Sequence, residues 1–108
     1  YIDALDDWTH KTQTGDVQFA SELDRIYYGH AGDLQLHDAD CPVVVERQGS
    51  ESVVVWNPWQ AKSLRLSEFP ADGYLNMLCI EAANAGPDTR VLEPGQSHTL
   101  GTLIRRAG

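Results

Sequence analysis

The sequence has 108 residues, 42% of them hydrophobic and 22% charged, the composition of one ordinary globular domain rather than of a disordered or fibrous chain. Its formal charge of −8 and pI of about 4.7 give it a field that repels nucleic acid and anionic membrane surfaces, so small molecules or proteins are the expected partners. No apolar run reaches the length of a membrane helix, and Tyr1-Ile2-Asp3 has neither the basic start nor the hydrophobic core of a secretion signal, which points to the cytoplasm.

The chain has no initiator methionine and opens directly in what reads as a strand, so a fragment of a longer protein is expected. Short β-type runs follow: Val17-Gln18-Phe19, Arg25-Ile26-Tyr27-Tyr28, Leu34-Gln35-Leu36, Val43-Val44-Val45, Val53-Val54-Val55-Trp56, residues 74–83 and residues 99–104. Glycine and proline punctuate them at Gly15-Asp16, Gly29 to Gly32, Gln48-Gly49-Ser50, Asp72-Gly73, Ala85-Gly86-Pro87 and Pro94-Gly95. Helix competes only over residues 61–69, where Pro70 closes a short helical turn. With no internal repeat, low-complexity tract or linker, residues 1–108 read as one continuous piece of an antiparallel β-sandwich.

Val43-Val44-Val45, Val53 to Trp56 and much of residues 74–83 are apolar on both faces, and such strands need cover on both sides. So short a chain cannot supply it twice over. A further sheet layer is expected, from missing sequence or a partner, and the chain alone is expected to aggregate or dimerise.

Several residues are candidates for chemistry. Strand alternation along residues 74–83 puts Leu75, Met77, Cys79 and Glu81 on one face, and a carboxylate among such neighbours is expected to be partly desolvated, with its proton affinity raised toward that of a general base. A strand-end glutamate paired with an arginine remains the alternative. Glu22 and Asp24 at the entry to another strand read equally as a solvated edge or as acids holding a turn. Cys41 and Cys79 form no C-x-x-C pair and read as reduced and packed, and His10, His30, His37 and His98 lack metal-ligand spacing. Gly95-Gln96-Ser97-His98 lacks the closing glycine of a nucleophile elbow, and Gly29-His30-Ala31-Gly32 lacks the lysine and helix of a phosphate loop. Trp56-Asn57-Pro58-Trp59 makes a rigid aromatic wall of the kind sugar sites use, or core aromatics at a sheet corner.

Taken together, Val54-Val55-Trp56-Asn57-Pro58-Trp59, Lys62 and Met77-Leu78-Cys79-Ile80-Glu81-Ala82-Ala83 resemble the bacterial glucose-6-phosphate 1-epimerase family, hexose-6-phosphate mutarotases of the aldose 1-epimerase superfamily. Tyr1-Ile2-Asp3, Asp24-Arg25-Ile26-Tyr27 and Pro94-Gly95-Gln96-Ser97-His98 resemble further family elements, so the match runs the length of the chain. The resemblance implies the C-terminal part of a galactose-mutarotase-like β supersandwich. It implies Glu81 as catalytic base and Asp24 as an acid hydrogen-bonded to the sugar in the same cleft. The implied reaction interconverts the α and β anomers of a hexose 6-phosphate: the base takes the anomeric hydroxyl proton, a histidine protonates the ring oxygen, and the ring opens, rotates and recloses. It requires no metal or organic cofactor.

None of the four histidines matches the family's acid, which, with the arginines that grip phosphate, belongs to sequence preceding Tyr1. The implied partners are therefore a hexose 6-phosphate and the missing N-terminal part of the same protein, and the chain alone is expected to be inactive. The rival reading is a noncatalytic carbohydrate-binding or structural β module.

Overall fold

A computed structural model describes residues 1–107. The strands are β1 (Ile2–Asp3), β2 (Thr9–His10), β3 (Leu23–Tyr28), β4 (Leu34–Leu36), β5 (Val43–Gln48), β6 (Ser52–Asn57), β7 (Cys79–Ala83) and β8 (Gly101–Arg106). Five of them form a sheet in the order β2-β1-β3-β6-β7, and three form a sheet in the order β4-β5-β8. A five-residue helix, α1 (Trp59–Ser63), is the α-helix among the described residues, so the all-β, antiparallel expectation holds.

Two units divide the residues. The first comprises Tyr1–Tyr27 and Val54–Glu81. Here β1 pairs antiparallel with β3, Ile2 facing Ile26 and Asp3 facing Arg25, and its core is Ile2, Leu23 and Val55. Arg25 lies 4.3 Å over the Tyr1 ring and donates at 3.0 Å to both the Gln13 side chain and the Tyr27 hydroxyl. Alternation along β3 thus commits Arg25 and Tyr27 to one face and leaves Asp24 on the other.

The second unit comprises Tyr28–Val53 and the chain from Ala82 onward, with Val44, Val45 and Val53 as its core. Its three strands pair antiparallel, Leu34 with Val45 on one side of β5 and Val45 with Ile104 on the other. Leu103 (52% exposed) and Ile104 (69%) point oppositely along β8, and both are open to solvent. Gly49, between β5 and β6, has φ +71°, and a Cβ there would run into the Thr99 carbonyl oxygen. Its own carbonyl accepts from Asn84 Nδ2 at 2.8 Å and lies 2.8 Å from His98 Nε2. Gly49→Ala should therefore lower the stability of the complete protein by about 3 kcal/mol, left-handed strain and overpacking combined, as a urea melt would read.

Three elements differ from the sequence reading. Val17-Gln18-Phe19 is not a strand: Val17 and Phe19 are half-buried without joining a ladder. The helix comes earlier than residues 61–69, because Ser63 Oγ donates to the Trp59 carbonyl at 2.6 Å and closes the turn there. The strand expected over residues 74–83 begins only at Cys79, and Gly73–Asn76 is a single 3-10 turn.

Candidate active site

The late start of β7 traces to one side chain. Asn57 ends β6 nearly fully buried, and its Nδ2 donates to the carbonyls of Tyr74 at 3.0 Å and Met77 at 2.9 Å. Those two acceptors are thereby engaged by an amide side chain. Asn57 Oδ1 accepts from Trp59 N at 2.8 Å, and Trp59 sits at φ 58°, a conformation sparsely populated for a bulky residue, with its ring 4.9 Å from that of Tyr74. The W-N-P-W stretch is thus both corner and clamp, fixing the segment that leads into β7.

Asp24, on β3, is half-buried. Burial pushes its carboxyl above the ordinary aspartate value, the Glu22 charge adds to the rise, and Lys62 on α1 opposes both. Lys62 Nζ lies 3.7 Å from Glu22 Oε2 and 5.9 Å from the centre of the Trp56 ring. Two acids, one cation and an indole face therefore gather at the C-terminal end of β6.

Glu81 lies on β7, and β6 is the strand between β3 and β7, so both candidate carboxylates belong to the first unit. The expected desolvation of Glu81 is corrected: its side chain is exposed. The reason is the shortened strand, which leaves Leu75 on the 3-10 turn, 64% exposed, and Met77 ahead of β7. Cys79 remains on the Glu81 face, half-buried, its thiol pushed up first by burial and then by the Glu81 charge. Both cysteines are free thiols.

Sequence reasoning missed Asp88. It is 7% exposed and accepts from Glu51 N (2.8 Å), Asn84 Nδ2 (3.0 Å), Ser52 Oγ (3.2 Å) and Arg90 Nη2 (2.7 Å). Burial alone would raise its carboxyl, but these donors outweigh it and hold Asp88 at about 2. Every polar neighbour belongs to the second unit, and the cluster ties the Ser50–Ser52 corner to the chain after β7. Of the histidines, His98 reaches the Gly49 carbonyl and His30 Nδ1 lies 3.2 Å from Arg47. Among the described residues no group of three histidine, cysteine or acidic side chains is placed to hold a metal ion, and no helix is long and apolar enough to cross a membrane.

Residues 3–105 match the family model described as Aldose 1-epimerase. The chain belongs to the aldose 1-epimerase family. Three curated relatives of the chain carry the description "Putative glucose-6-phosphate 1-epimerase". The one from Cenchrus ciliaris is 36% identical over 89% of the chain, that from Escherichia coli strain K12 is 30% identical over 99%, and that from Salmonella typhimurium strain LT2 is 28% identical over 95%. The chain spans 30%, 37% and 36% of the lengths of these relatives, respectively. No solved structure matches it.

Proposed function

We infer that the protein containing this chain interconverts the α and β anomers of a hexose 6-phosphate, with Glu81 as the base at the anomeric hydroxyl and Asp24 holding the sugar. The observation that carries this reading is family membership over residues 3–105. The description borne by the three relatives supports the sugar phosphate as substrate. The geometry supports the division of labour. Glu81 is exposed and free to meet a hydroxyl, whereas Asp24 is half-buried within the field of Glu22 and Lys62, as a fixed hydrogen-bond acceptor should be.

The general acid that protonates the ring oxygen and the cations that grip phosphate lie in the remainder of the protein, in the cytoplasm. That remainder would also cover the open faces around Leu103 and Ile104. The exposure of Glu81 is what favours the rival, a noncatalytic carbohydrate-binding module. Following α-glucose 6-phosphate by NMR with the complete protein decides between them: anomer exchange above the uncatalysed rate supports the enzyme, and binding without exchange supports the module.

Asp24→Asn tests the smaller role. An uncharged amide loses a charge-assisted hydrogen bond, so KM should rise at least about tenfold while kcat changes little and the kcat profile keeps both pH limbs. Loss of one kcat limb would exchange the roles of Asp24 and Glu81.

A further inference from the structure

Lys62 is the residue of the Trp56-Asn57-Pro58-Trp59 region to which the proposed reaction assigns no task. Its placement is fixed. The turn it rides on is closed by Ser63 Oγ on the Trp59 carbonyl and by Leu64 N on the Gln60 carbonyl at 3.2 Å. From there Nζ stands 3.7 Å from Glu22 and over the Trp56 ring at 5.9 Å. Glu22 and Asp24 flank Leu23, whose burial pins both acids at the start of β3.

The charges facing Asp24 come from each element packed against it. Glu22 precedes it on its own segment, Lys62 comes from α1, and Asp3 comes from β1. Asp3 is itself matched by Lys11 at 2.8 Å, so its negative charge is largely met locally. Lys62 is then the cation that offsets the other two acids.

We propose that Lys62 is a positioning residue for the sugar-binding carboxylate, its ammonium pairing with Glu22 and seated over the Trp56 ring so that the start of β3, which carries Asp24, keeps its place. The proposal rests on the mutarotase reading. Pairs this exposed add little stability, so the work of Lys62 is to set charge and place rather than to hold the fold. The two partners of Asp24 then act with opposite sign: removing Lys62 makes Asp24 easier to protonate, and removing the Glu22 charge makes it harder.

The experiment uses the complete protein and reads the carboxyl 13C shift of Asp24 through a pH titration, the resonance being assigned by its loss in Asp24→Asn. Lys62→Gln should move the Asp24 midpoint up, and Glu22→Gln should move it down. Lys62→Arg should restore it. In anomer exchange Lys62→Gln should raise KM by up to about fivefold, for hexose 6-phosphate and free hexose alike, with kcat little changed. An active wild type whose Asp24 midpoint does not respond to either change overturns the proposal. So does a KM loss confined to phosphorylated sugars with the midpoint unmoved, which would make Lys62 a phosphate ligand. A wild type that exchanges no anomers sinks the mutarotase reading instead, whatever the titration shows.

Discussion

Glu81→Gln in the complete protein is expected to slow anomer exchange by at least about a hundredfold, because general-base catalysis contributes that much or more. The amide keeps the size of the side chain and can still hydrogen-bond, but it cannot take the proton. Affinity for the sugar phosphate should change little, so the loss falls on kcat. Since Glu81 is exposed, its replacement should leave stability within about 0.5 kcal/mol. That pairing of outcomes is the discriminating one. A variant that melts markedly lower and turns over normally would make Glu81 a structural residue and end its candidacy. Exchange has to be followed on the anomers themselves, with spontaneous mutarotation subtracted.

Asp88→Asn and Asp88→Ala should produce the largest stability losses in the chain. The carboxylate collects a backbone N–H, a serine hydroxyl, an asparagine amide and an arginine. Truncation strips the buried Ser52 hydroxyl and the half-buried Asn84 amide of this acceptor, and the Glu51 N–H and Arg90 of theirs at the edge of solvent, a loss of about 3 kcal/mol for Ala. The pH dependence follows from the sign of the shift. The folded-state value of about 2 lies below the unfolded value of about 3.9. Stability from Asp88 is therefore fully present above about pH 5 and is lost as pH falls toward 2. Asp3, lowered chiefly by its hydrogen bond with Lys11, acts in the same direction. Urea melts of wild type and Asp88→Asn should differ widely at pH 7 and converge near pH 2. A constant difference across that range would show that the charge is not what matters there.

What the sequence made legible were features whose cause is local. The valine-rich runs became β5 and β6, and Gly49 stands in the left-handed conformation its turn position predicted. Family membership was legible through compact elements such as Trp56 to Trp59 and Cys79 to Glu81, confirmed over residues 3–105. What escaped was set by partners distant along the chain. Asp88 sits in an ordinary glycine-proline turn, and only its meeting with Glu51 and Ser52 makes it a hub. Residues 74–83 do alternate like a strand, but Asn57 takes the carbonyls of Tyr74 and Met77 first. The apolar setting imagined for Glu81 went with that strand.

The Asn57 clamp also bears on how the protein ages. Hydrolysis of this amide to a carboxylate would turn a donor to two carbonyls into an acceptor facing them, opening the corner where β6 meets α1. Asparagine ordinarily deamidates when the next backbone nitrogen, shedding its hydrogen, attacks the side-chain carbonyl to close a succinimide. Here that nitrogen belongs to Pro58, which has no hydrogen to shed. The order Asn-Pro therefore closes the ordinary route of chemical decay at an amide that clamps the approach to β7.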